Sequence, residues 1–151
     1  MSIGAEVPRD RAKRLLTGRG RFVDDIQLPR MLHLAFVRSP YAHARIEAID
    51  TAGAISMPGV IAVYTAKELE DAVSSWRPEH KLFPTMAAPE QHALAKETAR
   101  WQGEAVAAVV AESRAQAEDA AEHVAVTWHE LPAVTDAKAA LATDAAVLHD
   151  D

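Results

Sequence analysis

The side chains able to do chemistry in this chain are few and scattered. Cysteine is absent, so the sequence supplies no thiolate nucleophile, no disulfide and no cysteine-ligated iron–sulfur cluster. Histidine occurs at His33, His43, His80, His92, His123, His129 and His149, and no pair has the His-Glu-x-x-His spacing of a zinc site. His123 and His129 bracket one expected strand on the same side, but strand rise puts them roughly 20 Å apart, too far to share an ion. Glu104 follows Gly103 at the mouth of a dense apolar run and is the one acid worth weighing as a catalytic group. It could face a ligand or orient a turn, and the turn or an interface is favoured because no partnering base is visible. Asp24 and Asp25 precede Pro29; such a pair can bind a metal, but ahead of proline it more often closes turns on backbone N–H groups. No Gly-x-Ser-x-Gly motif occurs, and Ser113 reads as a helix cap. The string TGRGRF, Thr17 to Phe22, lacks the glycine pattern and Lys-Ser/Thr ending of a phosphate loop and reads as a turn. These residues assign no catalytic, cofactor-binding or metal-binding position.

The elements that must position these groups are clearer. The segment from Arg100 to Pro132 is the best specified. Ala105 to Ala111, AVAAVVA, reads as a strand covered on both faces. Ser113 and Gln116 have capping-box spacing, and Ala117, Ala120, Ala121 and Val124 recur at helical spacing. Val124, Val126 and Trp128 then alternate as a strand that Leu131-Pro132 ends. Upstream, Met31 to Val37 alternates as a strand, Arg45 to Asp50 reads as a second strand placed antiparallel to it, and Thr51 to Met57 as a helical turn. Val60 to Tyr64 is another apolar strand, and Thr65 with Glu68 opens a helix over Lys67 to Val73. A short strand is expected near Arg21 to Val23, a strand or turn near Ala93, and a short helix over Asp136 to Leu141 capped by Thr135 or Asp136. Residues 74 to about 92 hold Pro78, Pro84 and Pro89 with Trp76, Leu82, Phe83 and Met86. An apolar loop of that length either folds back on its own core or is covered by another surface.

Bulk properties narrow the class. With 151 residues, 49% of them apolar and many of those alanine, the chain can form one α+β domain with a small-residue core. A formal charge of −6 argues against nucleic acid as a main partner, and the three tryptophans, Trp76, Trp101 and Trp128, fit packing better than stacking on bases. The basic cluster Arg9, Arg11, Lys13, Arg14, Arg19 and Arg21 reads either as a solvated, subunit-contacting tail or as an anion site. No run is long enough to span a bilayer and MSIGAEVPRD has no apolar signal core, so no membrane partner is expected and the cytoplasm is the expected location.

Three segments carry a resemblance: Thr17 to Asp50, Met57 to Leu69 and Gly103 to Val134, about half of the chain and in order, with RSPYAHARI, Arg38 to Ile46, the most specific piece. Their wording resembles the N-terminal α/β hammerhead domain of the molybdopterin-binding large subunits of the xanthine dehydrogenase, aldehyde oxidase and carbon monoxide dehydrogenase family. The resemblance implies a mixed sheet with two or three short helices packed on it. The expected organisation is an irregular segment over 1–19, the hammerhead over 20–142, and a tail over 143–151 leading to an absent C-terminal region. That family usually has Tyr-Val-Gly-Glu-Pro-Val-Ala where this chain reads Trp101 to Ala107, WQGEAVA, and the missing proline should loosen the turn. Family members oxidise a carbon centre with water-derived oxygen at a molybdenum–pterin cofactor, and pass electrons to iron–sulfur clusters and flavin in other domains or subunits. Since the pterin loops and the glutamate base lie in the long C-terminal part, the resemblance implies a non-catalytic domain or split subunit of a molybdenum hydroxylase. Its partners would be the molybdopterin-binding portion and the iron–sulfur and FAD subunits, with no cofactor bound by this chain alone. The alternative is a free-standing binding module that reuses the fold.

Overall fold

The computed structural model describes residues 3–4, 12–78 and 88–149. Leu82, Phe83, Met86, His80, Arg9 and Arg11 therefore lie outside the described residues. The chain divides into two compact units, Met1–Met31 and Leu32–Asp151.

Among the described residues of the first unit, an α-helical turn, α1 (Ala12–Leu16), forms where the sequence reading expected irregular chain. Gly18, at φ 69°, ends it: Gly18 N–H donates to Leu15 O at 3.1 Å and Arg19 N–H to Arg14 O at 2.9 Å. TGRGRF is thus a helix stop followed by extended chain. The strand expected near Arg21 to Val23 does not form; Val23–Asp25 is a 3-10 turn instead. Asp25 Oδ2 accepts the Phe22 N–H at 2.9 Å, so this carboxylate closes the turn.

The second unit holds β1 (His33–Arg38), β2 (Ala44–Asp50), α2 (Ala52–Ile55), β3 (Val60–Thr65), α3 (Ala66–Leu69), β4 (Thr98–Ala99), β5 (Ala105–Ala111), α4 (Arg114–Ala121) and β6 (Ala125–Glu130). The strands form two antiparallel three-stranded sheets, ordered β1-β5-β3 and β4-β2-β6. β1 and β2 therefore do not pair with each other as expected. β1 pairs with β5, about seventy residues downstream, because the apolar β5 has two edges to fill and sits between β1 and β3. α3 is also shorter than expected: its capping box forms, but the helix stops at Leu69. The short helix expected at 136–141 is a 3-10 turn, Ala139–Leu141, with Asp136 Oδ1 accepting the N–H groups of Lys138 and Ala139.

The core lies between the first sheet and α4. Ala117 and Ala120 on α4 are buried, as are Ala107 and Val109 on β5, Val63 on β3, Ala54 on α2 and Val124. The largest fully buried side chains are Val106 and Val109; each contributes about 1.5–3 kcal/mol by its removal from water. Methyl groups rather than rings fill the layer, so α4 sits close to the strands. Its N-terminus is set by Ser113: Gln116 N–H donates to Ser113 Oγ at 3.3 Å, and the Ser113 hydroxyl donates to Gln116 Oε1 at 2.7 Å. The Gln116 side chain therefore takes the hydroxyl proton rather than completing a box with the Ser113 backbone.

Pro58-Gly59 turns the chain into β3. Gly59 has φ 79°, and its carbonyl accepts the Glu112 N–H at 2.9 Å. A Cβ there would come within 2.2 Å of Gln116 Nε2, so glycine lets the start of α4 lie on this turn. Among the described residues, no helix is long and apolar enough to cross a membrane.

Candidate functional site

The RSPYAHARI stretch links the two sheets, because Arg38 ends β1 and Ala44 begins β2. Its residues are fixed by a dense set of hydrogen bonds. Ser39 is buried; its hydroxyl donates to Tyr41 O at 2.9 Å and accepts the Tyr41 N–H at 3.1 Å. Ser39 N–H donates to Glu104 O at 2.9 Å, and Gly103 N–H donates to Ser39 O at 2.8 Å. His43 is buried, with Nδ1 at 2.8 Å from Pro132 O, while the Leu131 N–H donates to His43 O at 2.9 Å. The Tyr41 ring packs on Trp128 with centroids 5.9 Å apart and planes tilted by 58°.

Glu104 stands at the same junction. Its Oε2 accepts the Arg100 N–H at 2.5 Å, and its own N–H donates to Trp101 O at 3.2 Å. Burial pushes its carboxyl above the ordinary carboxylate range, and the Arg100 N–H and the Arg100 charge partly offset that. Gly103 has φ 92°, and a Cβ there would meet nothing within 4 Å, so the backbone conformation rather than a close approach favours glycine. Arg38 Nη1 adds a bond to Gly103 O at 2.8 Å. Despite the missing proline, this turn is held from several sides.

Arg38, Trp76, His92, Trp101, Gly103 and Glu104 border an open cleft of about 250 Å³. Trp76 reaches it because its backbone exchanges hydrogen bonds with Gln91, at 3.0 and 2.8 Å. Glu104 and His92, which spacing alone does not pair, line the same cleft, together with the half-exposed Trp76 and Trp101. No spacing rule could have found this, because Trp76, Trp101 and Arg38 converge only through sheet pairing. Trp128 packs internally as expected, whereas Trp76 and Trp101 face outward.

The chemistry open to this arrangement is limited. The Glu104 carboxylate already holds the turn, and Arg38 is engaged by a carbonyl and by the Phe36 ring 5.2 Å below its guanidinium. His123 and His129 are exposed surface residues. Among the described residues, no three His, Cys, Asp or Glu side chains come together to hold a metal. With no cysteine in the sequence, the chain supplies no thiolate to ligate an iron–sulfur cluster. What the site does is pin two sheets together beneath an outward-facing aromatic surface.

A two-sheet α+β module with an outward-facing aromatic cleft is the class these features define. The model of the aldehyde oxidase and xanthine dehydrogenase a/b hammerhead domain matches residues 17–132, and the chain belongs to that family. It is 44% identical over 147 residues to the carbon monoxide dehydrogenase large chain of Hydrogenophaga pseudoflava, covering 95% of this chain and 18% of the relative. It is 38% identical over 140 residues to the xanthine dehydrogenase molybdenum-binding subunit of Escherichia coli O157:H7, covering 89% of this chain and 18% of the relative. The crystal structure of quinoline 2-oxidoreductase from Pseudomonas putida 86 superposes with a TM-score of 0.84 at 45% identity, over 95% of this chain and 18% of that one. The chain thus spans less than a fifth of the length of these relatives.

Proposed function

We propose that this chain serves a molybdenum hydroxylase as a non-catalytic domain or split subunit, packing against the portion that carries the molybdenum–pterin cofactor. The reading rests on one observation: nearly the whole chain, 95% of it, corresponds to 18% of a carbon monoxide dehydrogenase large chain. In this reading the cofactor supplies the oxygen-transfer and redox chemistry from its own portion. This chain supplies a rigid wall through the Ser39, His43 and Glu104 hydrogen bonds. Iron–sulfur and FAD subunits complete the assembly, and the substrate is a carbon centre open to hydroxylation or carbon monoxide.

Affinity purification of the tagged chain from its native cells tests this. The expected result is a stoichiometric assembly that contains molybdenum by elemental analysis. Recovery of the chain free of molybdenum and of other polypeptides would overturn it and favour a free-standing module.

A further inference from the structure

The two faces of the β1-β5-β3 sheet are treated differently. His33, Ala35 and Val37 of β1 turn toward α4, while Leu34 and Phe36 turn away from it. Register places Leu34 beside Val110 and Val110 beside Ala62, then Phe36 beside Ala108 and Ala108 beside Tyr64. Cross-strand partners share a face, so Leu34, Phe36 and Tyr64 form one apolar surface. Arg38 lies over Phe36 and also borders the cleft of Trp76 and Trp101, which extends that surface past the strand end. These five large side chains, Leu34, Phe36, Tyr64, Trp76 and Trp101, remain 39 to 53% exposed, with Arg38 among them and Glu104 on the border of the tryptophan cleft. The sheet therefore keeps its bulkier residues outside and its smaller ones in the core, the reverse of an ordinary solvated face.

We infer that this outer face, with the two tryptophans beyond Arg38, is the surface on which the cofactor-carrying remainder of the molybdenum hydroxylase docks. The inference rests on the function proposed above and names the contact it requires. Two observations choose the occupant. Tryptophan, tyrosine, phenylalanine and arginine are the residues that concentrate in the buried centres of protein interfaces, and four aromatics with one arginine gather here. In the relatives the matching segment is 18% of the polypeptide, so more than four fifths of each relative lies beyond it and is available to cover the face. The docking surface is apolar and presents a carbonyl or carboxylate to the outer edge of Arg38, where the N–H groups beyond the one bonded to Gly103 O would otherwise lose water.

A photo-crosslinking residue placed at Phe36, and separately at Glu118 on the outer side of α4, tests this in the purified assembly. Mass mapping reads the attachment whether the contact runs within one polypeptide or between two. Attachment from position 36 to the molybdenum-carrying portion, with none from position 118, is the expected outcome. Phe36→Asp should also weaken that association by about tenfold or more. If this variant fails to fold, the crosslink in the otherwise native assembly decides alone. A molybdenum-containing assembly in which position 118 attaches and position 36 does not would overturn the inference while sparing the proposed function. Attachment of position 36 to a second copy of this chain would overturn it too. An absence of any molybdenum-containing assembly would sink both, and elemental analysis distinguishes the two failures.

Discussion

His43 Nδ1 lies 2.8 Å from the carbonyl oxygen of Pro132, joining the start of β2 to the end of β6 across 89 residues of sequence. A carbonyl only accepts, so Nδ1 carries the proton and donates. Pro132 cannot continue the ladder by donating, and the imidazole takes up its acceptor where the backbone pairing ends. His43→Ala should lower stability by about 1–3 kcal/mol, because it leaves a buried acceptor without its donor and opens a void. Urea unfolding monitored by tryptophan fluorescence checks this, and His43→Asn should recover part of the loss if its amide reaches the same oxygen.

Glu104 makes a contrasting prediction. Its buried carboxyl is held above the ordinary range, so the folded state favours the protonated form more than the unfolded state does. The group's contribution is fully present below the unfolded value and is lost as pH rises through the folded one. Glu104→Gln keeps an acceptor for the Arg100 N–H and removes the charge. The variant should match or exceed the native chain in thermal stability at pH 7, and that advantage should fade as pH falls into the carboxylate range. Glu104→Ala, which frees the Arg100 N–H, should be destabilised by about 1 kcal/mol or more at both ends. A native chain that gains on the Gln variant as pH rises would contradict the burial argument.

Glu68 shifts the other way. The Thr65 hydroxyl, then the Thr65 N–H, hold its carboxyl below the ordinary range. Its contribution is present above the unfolded value and disappears as pH falls through the folded one. Since Glu68 is exposed, the effect is small and screened by salt. Thr65→Ala should cost about 1 kcal/mol near neutral pH through loss of the cap, measured by chemical unfolding, and less in acid.

Gly59 offers a test that separates backbone from packing. Gly59→Ala forces an L side chain to φ 79° and drives its Cβ into the Gln116 amide. A loss of about 1–3 kcal/mol is expected from the strained backbone conformation alone, with the clash added. Gln116→Ala in the same chain should recover the clash and leave the backbone part. Full recovery in the double variant would show that the left-handed conformation costs nothing.

Much of the fold was legible because it is local. The AVAAVVA run, the Ser113 cap and the alternation after Val124 fixed β5, α4 and β6 to within a residue or two. Pairing was not legible: nothing within His33 to Arg38 says that its partner begins at Ala105 rather than at Ala44. The end of α3 was missed because the apolar spacing of Leu69 and Val73 continues past the point where the backbone stops being helical. At the site, Gly103-Glu104 announced a turn, and the structure shows the carboxylate closing it. The cleft of Trp76 and Trp101 was hidden, because its walls come from segments that meet only after both sheets form. The resemblance resting on RSPYAHARI located the family before any of these contacts could be inferred.

The methyl-lined seam between α4 and the first sheet has a mechanical consequence. Ala120 has no side-chain torsion to rotate, and it shares one buried cluster with Ala107 and Val109, whose side chains are short. A push on the outer side of the sheet has few rotamer changes to absorb it. It reaches the helix, and through Gln116 the Gly59 corner, as a displacement of the whole slab.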